Sequence, residues 1–233
     1  MKQLPLDLTL PALPPFAGFL PGDNAALVHE LRTQPWPGPP IYLWGPAGSG
    51  KTELLRALAG RAAAAGLRAQ RFDAGTPAPW TLADDTALVL LDEAHAWSPE
   101  QQHAAFTLFV DAASRVAEAG PGRLGLQFAS AGRLPPVDLP LREDLRTRLG
   151  WGPVHALKPL AEADTRAALR QEAQRRGLVL GDDVLDHLLT RFARDLKSLM
   201  ALLHRLDGFA LAEKRGLTVP LLKKMLDEER APG

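Results

Sequence analysis

The spacing of hydrophobic and polar positions changes along this 233-residue chain. After a proline-rich start, short apolar runs alternate with longer helical segments, which predicts a parallel sheet covered by helices on both faces. From about residue 162 every segment has helical spacing, which predicts an all-helical domain. We therefore expect an extended tail over 1–20, an α/β core over 21–155 and a helical domain over 156–233.

The same pattern places the individual elements. The first helix is expected to run to about Arg32, with Asp23 or Asn24 as its N-cap. Thr218 is expected to cap the last helix, with Pro220 in its first turn. The remaining predicted elements are strands at 41–44, 68–72, 87–91 and 124–129, and helices at 51–65 and 99–117.

Composition narrows the class of protein. Hydrophobic residues make up 46% and charged residues 23%, as in ordinary globular proteins. The 27 basic residues balance the 27 acidic ones, so sequence-specific DNA binding is not expected. The chain has no cysteine, which excludes disulfides and cysteine-ligated zinc. No apolar run could span a bilayer and the start does not resemble a signal peptide, so we expect a cytoplasmic protein without membrane contact.

One glycine-rich segment matches the phosphate-loop pattern G-x-x-x-x-G-K-[ST] between a predicted strand and a predicted helix. Its residues are Gly45, Pro46, Ala47, Gly48, Ser49, Gly50, Lys51 and Thr52. The glycines allow backbone N–H groups to surround phosphate oxygens, and the helix N-terminus adds a partial positive charge. Lys51 is expected to reach the β- and γ-phosphates and Thr52 to ligate Mg²⁺. We predict ADP or ATP with Mg²⁺ at this loop.

A second motif follows the third predicted strand, which ends in Asp92 and Glu93 and looks like a Walker B motif. Asp92 would hold Mg²⁺ through water, and Glu93 would polarise an attacking water. Asp92 to His95 also spells the box of a helicase class. Those enzymes need two such cores and this chain has room for one, so we interpret His95 as a local polar residue.

Several basic residues have two open interpretations. Arg142, Arg146 and Arg148 follow the fourth predicted strand, either on a solvated helix face, which we favour for Arg142, or as an arginine finger that acts on a neighbour's γ-phosphate. Lys197 begins a helix of the second domain, where it either contacts phosphate or faces solvent.

The N-terminal tail has leucines at alternate positions after a glutamine. These residues are Gln3, Leu4, Leu6 and Leu8. Such a segment is either a loose terminus or a peptide that lies extended in an apolar groove of a partner. The neighbouring prolines would reduce the entropy lost on docking.

Together these segments resemble the Hda family, the regulatory inactivators of the replication initiator DnaA. The resemblance implies a AAA+ P-loop NTPase core, with a parallel five-stranded sheet between helices, followed by a small all-helical lid domain. The phosphate loop occurs in many families, whereas its combination with the tail, the arginine box and the lid is more specific. The matching segments are 3–8, 16–24, 42–45, 146–152, 196–206 and 217–224.

The resemblance also implies residue roles. The leucine tail would bind the DNA polymerase III β sliding clamp, and Arg148 would be the finger that acts in trans. Lys197 stands where the sensor-2 arginine is usual, and a lysine lacks the planar fork of arginine. Ser130 and Gly132 occupy the sensor-1 segment, where a polar residue that orients water is usual, so the chain's own ATP hydrolysis is expected to be weak.

The implied function is negative regulation of replication initiation: docking on the DNA-loaded clamp and stimulation of hydrolysis of ATP bound to DnaA. No DNA-reading helix-turn-helix domain follows the lid, so we do not expect an initiator. A helicase-loader-like AAA+ ATPase that uses its own hydrolysis is the alternative, and a clamp-binding adaptor is a third. Assembly into a homo-oligomer stays open.

Overall fold

The computed structural model describes residues 15–118, 125–192 and 195–230. An α/β part is followed by a helical part. The strands are β1 (Ile41–Trp44), β2 (Arg68–Phe72), β3 (Thr86–Leu91), β4 (Gln127–Gly132) and β5 (Val154–Ala156). The helices are α1 (Ala25–Thr33), α2 (Lys51–Ala64), α3 (Pro99–Glu118), α4 (Glu143–Leu149), α5 (Glu162–Arg175), α6 (Asp182–Arg191), α7 (Leu196–Glu213) and α8 (Val219–Arg230).

The five strands form one parallel sheet in the order β2-β3-β4-β1-β5. The strand before the phosphate loop, β1, pairs with β4 and β5, and β3 pairs with β2 and β4. Parallel strands expose their carboxyl ends at the same edge of the sheet, which is where α/β proteins bind ligands. The predicted sheet between helices is therefore confirmed.

Both faces of the sheet are buried, and β3 shows why. Val89 and Leu91 pack into the cluster on one face, whereas Leu88 and Leu90 pack into the cluster on the other. All four side chains are at most 1% exposed. A strand buried on both sides reads as a continuous apolar run, which is the signal that β3 gives in the sequence.

The helical part has its own core. Helices α5 to α8 contribute leucines at helical spacing to one cluster, for example Leu185, Leu188 and Leu189 on α6. Asp195 caps α7, because its Oδ1 accepts a hydrogen bond from the backbone N–H of Ser198 at 2.8 Å. The predicted all-helical domain is confirmed. In the ranges described, no helix combines the length and the apolar character needed to cross a membrane.

Two local predictions differ from the structure, and two short elements had no predicted bounds. Strand β4 begins at Gln127 rather than at 124 and continues to Gly132, because its small residues pair with β1 up to Trp44. The strand β5 and the helix α4 had no clear sequence signal, since both are short. Asn24 makes no cap hydrogen bond at α1, and its side chain bonds a distant loop instead.

Candidate functional site

The phosphate loop lies between β1 and α2, at the carboxyl edge of the sheet. It forms one wall of a cleft of about 830 Å³ between the core and the helical part. The other walls come from the segment before α1 and from the start of α7, and they include Phe19 and Lys197. This volume is in the range of small-molecule sites.

Two glycines of the loop have conformations and neighbours that exclude a side chain. Gly48 has φ +75°, and a Cβ there would lie 2.5 Å from Cβ of Asp195. Gly50 has φ +94°, and a Cβ there would lie 2.8 Å from Cε2 of Phe19. The loop is thus held from the lid side and from the N-terminal side. Its shape fits a phosphate, because backbone N–H groups can converge only where no side chain intervenes.

Lys51 is folded over its own loop. Its Nζ donates to the carbonyl oxygens of Gly45 at 2.8 Å and Pro46 at 2.7 Å, and lies 3.2 Å from Oγ of Ser49. Burial lowers the pKa of the Lys51 ammonium, and nearby Arg133 lowers it further, although Asp92 opposes both. The ammonium has neutral partners within the loop, which a phosphate can replace with charge-assisted hydrogen bonds.

The residues predicted to hold Mg²⁺ are brought together. Oγ1 of Thr52 donates to Oδ2 of Asp92 at 2.8 Å, and Asp92 is only 2% exposed. A hydroxyl beside a carboxylate is a donor set that suits Mg²⁺ with its retained waters. Glu93 is exposed and has φ +57°, a strained conformation that is enriched at functional sites.

Sequence reasoning missed an arginine at this carboxylate. Nη2 of Arg71, on β2, lies 3.1 Å from Oδ2 of Asp92 and 3.2 Å from Oδ2 of Asp73. The available signal was positional: Arg71 is the last but one residue of a strand that pairs with β3. Its side chain therefore emerges beside the carboxyl end of the Walker B strand.

Gly132, one of the two residues that occupy the predicted sensor-1 segment, has no side chain, and the structure leaves no space for one. A Cβ on Gly132 would lie 2.1 Å from the hydroxyl oxygen of Tyr42, which donates to the carbonyl of Leu134 at 3.1 Å. The space is therefore filled from β1. Ser130 is present but only 2% exposed.

A further basic residue near the loop was also missed. Arg133 follows β4 at the carboxyl edge of the sheet, is exposed, and its charge lowers the pKa values of both Lys51 and His95. The pKa of His95 is lowered first by burial, and its Nδ1 has no hydrogen-bond partner in the part of the chain that is described. Burial and the positive charge of Arg133 therefore favour the neutral imidazole, although Glu93 and Asp92 oppose this lowering of the pKa.

One contact joins the core to the helical part at the cleft, and a second holds the segment between them. Nζ of Lys197 lies 3.6 Å from Oε1 of Glu53 on α2. Asn24 holds the backbone of Lys158: its Nδ2 donates to the carbonyl at 2.8 Å, and its Oδ1 accepts from the N–H at 2.9 Å. Because Lys158 lies between β5 and α5, Asn24 fixes the segment that leads into the helical part.

Arg148 lies on α4 and does not line the cleft. Its guanidinium lies 4.8 Å from the ring centre of Phe106 and 4.9 Å from that of Trp151. Within the described ranges no carboxylate pairs with it, whereas Arg142 pairs with Asp144 at 2.6 Å. Two aromatic rings thus hold the Arg148 guanidinium while its charge stays uncompensated. The predicted tail residues Gln3, Leu4, Leu6 and Leu8 lie outside the described residues.

Comparison with known proteins agrees with this architecture. Residues 162–226 match the family described as Hda, lid domain. Domain III of the replication initiation protein DnaA from Thermotoga maritima has a TM-score of 0.68 at 17% identity, with 92% of this chain and 95% of that chain covered. The helical part thus matches the Hda lid, and the chain as a whole has the fold of DnaA domain III.

Further structures show the same fold. The AMPPCP-bound DnaA from Aquifex aeolicus gives a TM-score of 0.60 at 19% identity and covers 88% of this chain and 64% of that chain. The Holliday junction branch migration motor RuvB from Thermotoga maritima gives 0.56 at 14% identity and covers 82% and 61%. The matched Hda lid begins at the first residue of α5 and ends within α8. The predicted AAA+ core with a helical lid is thereby confirmed.

Proposed function

We propose that this chain is a nucleotide-dependent negative regulator of replication initiation that acts in trans on DnaA. One observation carries the proposal: the chain displays Arg148 outside its own cleft, with no carboxylate partner among the described residues, and the same chain carries an Hda-type lid. An arginine in that place cannot serve the nucleotide of its own chain. It is suited to a nucleotide bound by a neighbour.

The cleft would hold ADP or ATP. The loop 45–52 and Lys51 would bind the phosphates, and Lys197 would lie at the lid wall. Thr52 and Asp92 would hold Mg²⁺, which would neutralise phosphate charge. Support comes from the glycine conformations and from the AMPPCP in the Aquifex aeolicus DnaA structure.

The surface around Arg148 favours a protein partner. Trp151 is 61% exposed and Val137 is 72% exposed. Arg146 joins α4 to the segment after β4, because its guanidinium donates a hydrogen bond to the carbonyl of Val137 at 3.0 Å. Exposed apolar side chains around an uncompensated charge are typical of interfaces with aromatic and arginine anchors. In the proposed complex this face meets DnaA, and Arg148 stabilises charge on the ATP that DnaA holds.

The remaining parts of the proposal rest on the sequence resemblance. Residues 1–20 would tether the protein to the sliding clamp through Gln3, Leu4, Leu6 and Leu8. The core over 21–155 would bind nucleotide and present the finger, and the lid over 156–233 would set its orientation.

The test measures hydrolysis of DnaA-bound ATP with DNA-loaded clamp and ADP. Arg148→Ala is expected to remove nearly all stimulation, since a finger contributes roughly 10³-fold or more. The matched control is Arg142→Ala, which changes an arginine that pairs with Asp144 and should leave stimulation near the wild-type value. Removal of residues 1–8 should abolish the stimulation that depends on the DNA-loaded clamp. Full stimulation by Arg148→Ala would contradict the proposal.

An ATPase in its own right, of the helicase-loader-like kind, is the second candidate. It is favoured by one observation, the placement of Asp92 against Thr52 with Glu93 beside it. Robust ATP turnover by the isolated protein, abolished by Glu93→Gln, would select this candidate. Turnover below that of stimulated DnaA would select the regulator.

A further inference from the structure

The Walker B carboxylate already has a cationic partner from within the chain. Arg71 bridges Asp92 and Asp73 with a single nitrogen, Nη2, at 3.1 and 3.2 Å. The Asp92 side chain is 3% exposed and the Arg71 side chain 33%. A carboxylate as buried as this one is stable in its charged form only with hydrogen bonds and a counter-charge, and Arg71 provides that charge.

The two carboxylates that hold Arg71 are themselves fixed. Oδ1 of Asp73 accepts from the N–H of Gly75 at 3.1 Å and from Oγ1 of Thr76 at 2.9 Å. Asp92 accepts from Thr52 through Oδ2 and from the N–H of Glu93 through Oδ1 at 2.9 Å. The guanidinium therefore lies between two positioned carboxylates, with a hydrogen bond to Asp92 and an ion pair with Asp73.

This arrangement changes what a divalent cation can contribute. A cation at Thr52 would share the Asp92 carboxylate with a guanidinium, and two positive groups within roughly 6 Å repel each other strongly where water is scarce. Without a divalent cation, Lys51 remains at the loop, and Arg71 still offsets the negative charge of Asp92 and Asp73 and so weakens their repulsion of a phosphate. Both effects reduce the difference in nucleotide affinity between solutions with and without Mg²⁺.

We propose that Arg71 takes over part of the electrostatic role of Mg²⁺, so that this cleft binds a nucleoside diphosphate with little dependence on the metal. Arg71 is then a specificity-determining residue of the nucleotide site. The inference rests on the proposed binding of nucleotide by residues 45–52. It goes beyond that proposal because the counter-charge of Asp92 is assigned to Arg71 and not to a bound metal ion.

The experiment is a titration of the full chain with a fluorescent ADP analogue, with unlabelled ADP as competitor, in millimolar Mg²⁺ and in excess EDTA. For the wild type the two Kd values are expected to agree within about threefold. For Arg71→Ala the ratio of Kd in EDTA to Kd in Mg²⁺ is expected to rise by about tenfold or more, mainly through weaker binding in EDTA.

The matched control is Arg68→Ala on the same strand. Arg68 pairs with the exposed Asp85 at 3.0 Å, away from the loop, so its removal should leave the wild-type ratio unchanged. Arg71→Lys keeps the charge without the fork and should give an intermediate ratio. Thermal unfolding of each variant shows whether the fold is kept, and the lysine variant tests the inference if the alanine variant does not fold.

The outcomes separate the two claims. A wild type that binds no ADP in either buffer would refute the nucleotide site itself. A wild type that binds ADP but loses about thirtyfold or more of its affinity in EDTA would overturn the role of Arg71 and leave the nucleotide site standing. The same holds if Arg71→Ala and Arg68→Ala give equal ratios.

Discussion

Replacement of Gly48 by alanine tests whether the phosphate loop and the lid depend on one close contact. The φ of +75° alone disfavours an L-residue by about 1–2 kcal/mol. The new Cβ would lie 2.5 Å from Cβ and 3.2 Å from Cα of Asp195. Rotation of the Asp195 side chain moves neither its Cα nor its Cβ, so the loop and the start of α7 must separate by about 1 Å to bring the two Cβ atoms to van der Waals distance.

A shift of this size acts directly on phosphate binding. Hydrogen bonds to charged groups contribute about 1.5–3 kcal/mol each, and they weaken steeply with poor geometry. Loss of one or two such bonds from the loop amounts to about 3 kcal/mol, or roughly a hundredfold in the Kd of ADP.

The control for this prediction is Gly66→Ala. Gly66 has φ +72°, but a Cβ there meets nothing within 4 Å. Both variants carry the same backbone penalty, which should lower Tm by about 2–8 °C, and the clash with Asp195 should lower Tm of Gly48→Ala further. Only Gly48→Ala should lose ADP affinity in a fluorescence titration. Equal ADP affinities for the two variants would refute the reasoning.

Three further predictions concern other contacts. Trp151→Ala removes one of the two rings against Arg148, a contribution of about 0.5–1 kcal/mol, and should lower stimulation of DnaA ATP hydrolysis about two- to fivefold while ADP binding is unchanged. Asn24→Ala leaves the N–H and carbonyl of Lys158 without this partner, and should lower the free energy of unfolding in urea by about 2 kcal/mol. Hydrogen bonds from two arginines hold the pKa of the Glu172 carboxyl well below its usual range. Its stabilisation is therefore complete above pH of about 4.3 and is lost as pH falls through the lower folded-state pKa, so Tm of Glu172→Gln should fall less steeply than that of the wild type on acidification below that pH.

The sequence was informative where the determinants of structure are local. The strand at 41–44, the phosphate loop and the start of α2 at Lys51 agree with their predicted positions, because glycine spacing and an apolar run specify them within a few residues. The apolar run also predicts strand β3 correctly to within one residue at its start. Strand β4 was misplaced because Ala129 to Gly132 are small residues with low strand propensity, and only their pairing with β1 makes them a strand.

The candidate site was less predictable because its less obvious members are distant in sequence. Arg71 approaches Asp92 only because β2 and β3 are neighbours in the sheet. Tyr42 fills the space at Gly132 from another strand. Asp23 or Asn24 was expected to cap α1, but the backbone of a loop far along the chain competes for the Asn24 amide and satisfies both its donor and its acceptor. Such choices depend on tertiary contacts, which residue spacing does not encode.

The two contacts on the phosphate loop explain how bound nucleotide would act beyond the cleft. Phe19 follows the tail in sequence and touches Gly50, while Asp195 begins the lid helix α7 and touches Gly48. A phosphate that stabilises the loop changes the free energy of both contacts, and by linkage each contact changes the affinity for phosphate by the same factor. Arg148, in contrast, is positioned by aromatic rings on α3 and after α4, away from the cleft. Bound nucleotide would therefore control how the lid and the N-terminal segment are arranged, and it would not be needed to position the Arg148 guanidinium.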